Sequence, residues 1–222
     1  VLRREAEREA MTAAQVVVIT NPVGLDRRIV EGAPWRQVLQ DEASQSLETE
    51  SIIPLMLGCT RVVLVGDHKQ LGPVIKLQGD GAAGLQVSMF ERLLEAGQAP
   101  HVILLEQHRM HPGLCVFPST QFYAGELRSA PGLSARKQLA VDTRFPWPSR
   151  DRPYMVVHVA TPETQGLRGT FTNGGEADAV VLTVAQLLLD GVASDQVKVV
   201  TPYDGQRVLI NRRLGRIARL SG

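Results

Sequence analysis

Short apolar runs rich in β-branched residues alternate along this chain with longer stretches of helical periodicity. Runs of that kind suit parallel strands covered on both faces by crossover helices. The pattern predicts strands over 16–20, 37–40, 61–66, 101–105, 154–160 and 197–201. It predicts helices over 44–58, 84–97, 111–123, 176–191 and 203–217, and residues 1–14 read as a charged helix already in progress. Such alternation defines an α/β layered fold. Residues 129–153 break the rhythm, because Pro131, Pro146, Pro148 and Pro153 fall among charged residues, and a long surface excursion is expected there. A strand that ends in the polar cluster Glu106 to Pro112 marks the expected boundary between two lobes, 1–107 and 108–222.

Composition narrows the class without naming a partner. With 44% hydrophobic and 21% charged residues over 222 positions, the chain is large enough for one core or two smaller ones. Its net charge of +1 announces no nucleic-acid field, so any basic groove has to come from local arginines. Cys59 and Cys115 lie far apart in apolar surroundings, as reduced, buried thiols of an intracellular protein would. No apolar run approaches the ~20 residues that cross a bilayer. A soluble protein of the cytoplasm or nucleus is expected.

Four polar clusters carry the candidate chemistry. In Trp35 to Leu47, an apolar strand delivers Asp41 and Glu42 at its carboxyl end, the edge where open parallel sheets bind ligands. An acidic pair there suits metal-assisted phosphoanhydride hydrolysis, Asp41 holding hydrated magnesium and Glu42 polarising the attacking water. The same two residues would also serve as cap and dipole partners of a helix. In Arg61 to Val74, Gln70 follows a second strand and is placed to touch both a terminal phosphate and that water, although Gly66-Asp67 and Gly72-Pro73 are ordinary turn chemistry.

Arg109, in the cluster Glu106 to Pro112, is placed as a guanidinium entering a phosphate site from a neighbouring lobe, the alternative being a solvated surface group. The spacing of His68, His108 and His111 does not suit a metal. In Val197 to Arg207, Thr201, Tyr203 and Gln206 could present hydroxyl, ring and amide to a nucleic-acid strand. Thr201 as helix cap followed by Pro202 explains much of the same string structurally. Thr20 and Asn21 offer polar contacts to the same strand, or simply a turn. Phe145, Trp147 and Tyr154 read as loop packing ahead of base stacking.

In this order and spacing, DEASQ, VGDHKQLGP, MFERLL, QHRMHP, FPSTQFYAGEL and TPYDGQR resemble the superfamily 1 helicases called regulators of nonsense transcripts, over about residues 3–215. The resemblance implies two RecA-like lobes, each present in part, closing on ATP and Mg2+. It also implies single-stranded RNA, or DNA, held across both lobes and followed from 5′ to 3′, with messenger-surveillance proteins as partners and a monomer as the working unit. By motif position Asp41 and Glu42 match the magnesium and catalytic-base pair, Gln70 the phosphate sensor and Arg109 the first arginine finger. His108 stands where relatives carry an aromatic residue stacked on adenine.

No GxxxxGK[ST] loop occurs in the 222 residues, and neither do the family's later glutamine-glycine stretch and second arginine finger. The expectation is a central stretch cut from a longer motor and inactive alone. A non-catalytic binding module, or a sister helicase acting on DNA or RNA:DNA hybrids, stays open at this point.

Overall fold

The structure is a computed structural model and describes residues 2–75, 84–133, 145–149, 153–166 and 169–220. The chain divides into two compact units, residues 1–103 and 104–222.

The first unit opens with α1 (Leu2–Ala13) and continues through a 3-10 turn (Asn21–Leu25) into the short α2 (Arg27–Glu31). Asp26 caps α2, its carboxylate accepting from the Arg28 amide, and the Arg28 guanidinium beside it lowers the Asp26 carboxyl to about 2. Next come β1 (Gln37–Gln40), a 3-10 turn (Ala43–Gln45), α3 (Glu48–Leu55), β2 (Arg61–Leu64) and α4 (Met89–Glu95). β1 and β2 pair in parallel, with Gln37 opposite Arg61 and Gln40 opposite Leu64. Ser88 caps α4 by accepting from the Glu91 amide, and Gly97 in the left-handed region follows its end.

The second unit holds β3 (Glu106–Gln107), α5 (Pro112–Phe122), β4 (Arg128–Ser129), β5 (Thr164–Gln165), β6 (Phe171–Thr172), α6 (Gly174–Leu189) and α7 (Asp204–Leu220). β3 pairs in parallel with β4, and β5 pairs antiparallel with β6. α6 packs along α7, and Ala177, Val181 and Ile210 form the buried seam. Arg213 ties the two helices, meeting the Asp178 carboxylate at 2.6 Å and donating to the Gly174 carbonyl.

Several expectations need correction. Among the described residues, 16–20, 101–104, 154–160 and 197–201 join no ladder. In the first of these, Val17 and Ile19 line an apolar cleft with Met11 and Ile29, whereas Val16 and Val18 point outward. The alternation of a strand is present and its hydrogen-bonding partner is not. β1 and β2 are not covered on both faces, since Leu39 is 68% exposed, because a two-stranded ladder offers little to pack against. The helix expected over 44–58 starts later, because Ser46 and Leu47 are extended and interrupt it. Cys115 is buried as expected, whereas Cys59 is only half-buried, and both are free thiols. Phe145 is buried against Trp147 with ring centroids 4.7 Å apart, while most of the predicted excursion, 134–144 and 150–152, lies outside the described residues.

Candidate functional site

At the carboxyl end of β1 the ladder continues one step past the strand. The Val65 amide donates to the Gln40 carbonyl at 2.8 Å, and the Ala43 amide donates to the Val65 carbonyl at 2.8 Å. Asp41 and Glu42 lie between those two bonds and cannot relax away. Glu42 accordingly sits at φ 52°, ψ 36°, a left-handed conformation that glycine adopts freely and glutamate rarely. The Asp41 carboxylate accepts from the Glu42 amide at 3.1 Å, and the Glu42 carboxylate accepts from the Gln45 carboxamide at 2.9 Å. Both acids remain exposed. A strained backbone held by its surroundings at a ligand-facing edge is a mark of functional sites.

The neighbouring strand end fits against this turn. A Cβ on Gly66 would lie 2.9 Å from the Ser44 amide nitrogen, so only glycine allows the two chains to approach. The buried Ser44 hydroxyl accepts from the Asp67 amide at 3.1 Å and locks the turn that follows. Asp67 in turn accepts from the Lys69 amide at 3.0 Å and from the Gln70 carboxamide at 2.8 Å. Asp41, Glu42 and Gln70 therefore share one edge of one parallel pair. Asn21 is committed differently: its carboxamide donates to the Ser46 hydroxyl at 3.0 Å, and Thr20 makes no side-chain cap bond.

In the second unit Arg109 lies on the short loop between β3 and α5. Its side chain is exposed and meets no carboxylate among the described residues. His108 reaches the Glu106 carboxylate at 3.0 Å, with both side chains more than half exposed. His111 caps α5, its Nδ1 accepting from the Gly113 amide at 3.0 Å, and Pro112 fits the first helical position.

Thr201 and Tyr203 line an open cleft of about 200 Å³ with Phe171, Thr172, Glu163 and Glu176, and the Tyr203 ring packs edge-on to Phe171 at 5.2 Å. Thr201 does not cap α7. The Gly205 amide donates instead to the Thr170 hydroxyl at 2.8 Å, because Gly205 lies so close to Thr170 that its Cβ would fall 2.9 Å from that oxygen. Gln206 is 6% exposed and closes a two-bond clasp on Asn173, accepting from its amide at 2.9 Å and donating to its carbonyl at 3.1 Å. Asn173 also accepts from the Thr161 hydroxyl at 2.6 Å, donates to the Thr161 carbonyl at 2.8 Å and caps α6 through the Glu176 amide. The roles of Asn173, Thr161 and Thr170 were not drawn from the sequence; the string Asn173-x-x-Glu176 before an apolar helix was the available signal for the first.

Two AAA domain family models match this chain, one over residues 2–78 and the other over residues 85–220. The chain is 41% identical over 216 residues to a regulator of nonsense transcripts 1 homolog of Arabidopsis thaliana, covering 97% of this chain and 17% of that protein. It is 42% identical to the ATP-dependent helicase upf1 of Schizosaccharomyces pombe, with 95% and 22% covered. With the ATP-dependent helicase NAM7 of Saccharomyces cerevisiae it shares 40% identity, with 94% and 21% covered. The chain therefore belongs to the AAA domain family, in the superfamily 1 helicase branch that includes the regulators of nonsense transcripts, and its fold is of the RecA-like α/β type. It spans about a fifth of the length of these curated relatives.

Proposed function

We propose that this chain is the central part of an ATP-driven motor that moves along single-stranded nucleic acid, RNA ahead of DNA; relatives named ATP-dependent helicases support the reading. Residues 1–107 would be the later part of a first RecA-like lobe and residues 108–222 the earlier part of a second. The observation that carries the proposal is the exposed Asp41–Glu42 pair, fixed in a strained turn at the carboxyl edge of parallel strands with Gln70 on the same edge.

The donors at that edge fit a hydrated magnesium ion. Asp41 offers a hard, exposed carboxylate with one oxygen on the Glu42 amide, and the described residues hold no cluster of three or more His, Cys, Asp or Glu that would form an all-protein cage. Magnesium is ordinarily held this way, by one or two carboxylates together with substrate phosphates and water. When bound, it would neutralise charge on the phosphates of ATP. Glu42 takes the proton of the attacking water. Its carboxylate is aimed by the strained backbone and by Gln45. Gln70 exchanges Asp67 for the terminal phosphate and so reports whether nucleotide is present. Arg109 offers positive charge to the transferred phosphoryl group, and His108 offers its ring to the base.

For nucleic acid, the half-buried Thr201, the exposed Tyr203 and Thr20 supply the contacts. Asn21 and Gln206 act one step back, as residues that hold those surfaces in place. The test is ATP turnover by the full-length protein with and without a single-stranded RNA. RNA-stimulated turnover supports the proposal. A full-length protein that binds RNA yet hydrolyses no ATP in either condition overturns it in favour of a binding module, and equal stimulation by DNA moves it to the sister helicases.

A further inference from the structure

Gln107 is half-buried at the end of β3. Its carboxamide makes four hydrogen bonds. Oε1 accepts from the Arg109 amide at 2.9 Å and from the Met110 amide at 2.9 Å. Nε2 donates to the Met110 carbonyl at 2.9 Å and to the Ser129 hydroxyl at 2.7 Å. A carboxamide has two donor hydrogens and two acceptor lone pairs, so every position it has is used.

Three of the four bonds fall on the backbone of Arg109 and Met110. The fourth anchors the carboxamide to β4, where Ser129 stands opposite Gln107 and the Ala130 amide donates to the Gln107 carbonyl at 3.0 Å. Further along, the His111 cap and Pro112 fix where the loop enters α5. The three-residue loop 108–110 is thus held at both ends by polar groups that only this arrangement satisfies. At the apex of the loop the Arg109 side chain is exposed and meets no carboxylate among the described residues. Neutral hydrogen bonds of this kind each contribute modestly, but one carboxamide making four at once fixes a geometry that separate contacts would not.

We infer that Gln107 is the positioning residue for Arg109: it sets the backbone from which the guanidinium is presented, and its effect on turnover passes through Arg109 alone. This rests on the proposed role of Arg109 in phosphoryl transfer. Placement errors of an ångström in a charge-stabilising group are enough to lower a rate substantially.

The experiment is a double-mutant cycle in the full-length protein, using Gln107→Ala, Arg109→Ala and the pair, with Gln107→Glu as a second variant that keeps an acceptor oxygen for the two amides and loses the Nε2 donor. Gln107→Ala is expected to lower kcat for ATP about tenfold with KM changed less than about twofold. It should lower kcat no further in the Arg109→Ala background, and Gln107→Glu should fall between wild type and Gln107→Ala. Independently of activity, hydrogen exchange at the Arg109 and Met110 amides should accelerate in Gln107→Ala. Unchanged exchange, unchanged kcat, or an equal loss in both backgrounds overturns the inference and leaves the proposed function standing. If Arg109→Ala itself has no effect on kcat, the proposed role of Arg109 falls and the inference falls with it.

Discussion

Two places in this chain carry the same sequence signature, polar residues around a helix start after an apolar run, and the fold uses them in opposite ways. At Asp41–Glu42 the carboxylates are exposed, the Glu42 backbone is held left-handed, and among the described residues the side-chain partner of Glu42 is the exposed Gln45. Asn173 and Gln206 are buried at 7% and 6% exposure; the Gln206 carboxamide bonds the Asn173 backbone, and the Asn173 carboxamide bonds Thr161 and the start of α6. The first arrangement keeps charge available and stores strain, as the proposed reacting edge requires. The second satisfies every group it buries and yields rigidity. A polar motif therefore marks a reacting edge only when its side chains are left partly unspent.

The contrast can be broken most forcefully at the buried hub. Asn173→Ala removes the cap of α6 and leaves Thr161 and its carbonyl without their partner. Unfolding in urea should show a loss of about 2–4 kcal/mol. A loss below the usual surface range of about 0.5 kcal/mol would mean that the hub is not structural.

The strained edge should respond in the other direction. Glu42→Gly relieves the left-handed backbone, so the same urea measurement should find the variant unchanged or more stable by about 1 kcal/mol while ATP turnover is lost. A variant destabilised like Asn173→Ala would erase the distinction.

The smallest effect is electrostatic. Arg92 joins α4 to Glu48 at the start of α3, with N–O distances of 2.5 and 3.0 Å, and the guanidinium lowers the Glu48 carboxyl below its ordinary 4.5. The folded state therefore binds fewer protons there than the unfolded chain. The pair stabilises above pH 4.5 and loses that contribution as pH falls through the depressed value. Arg92 is about half exposed, so Arg92→Ala should shift the urea midpoint only slightly at pH 7, and by progressively less as pH falls below 4.5. An equal shift at both ends of that range would contradict the ion pair.

Much of this was legible in the residues. The apolar runs located β1 and β2, helical periodicity located α5, α6 and α7, and strand-end acids marked Asp41 and Glu42. What could not be read depends on partners distant in sequence. An apolar run such as 197–201 specifies extended backbone but not which strand, if any, will pair with it. Thr201 looked like the cap of α7 because the donor was near; the actual acceptor, Thr170, lies 35 residues before Gly205. Gln107 gained its meaning from Ser129, 22 residues on. The left-handed Glu42 had no glycine to signal it and arises from the ladder bonds on either side.

The most direct measurement is steady-state ATP turnover of Glu42→Gln in the full-length protein, alongside its nucleotide affinity and urea midpoint. Loss of a general base predicts a fall in kcat of about 10²- to 10⁴-fold, with affinity and midpoint preserved. Turnover equal to wild type would contradict the assignment of hydrolysis to this edge.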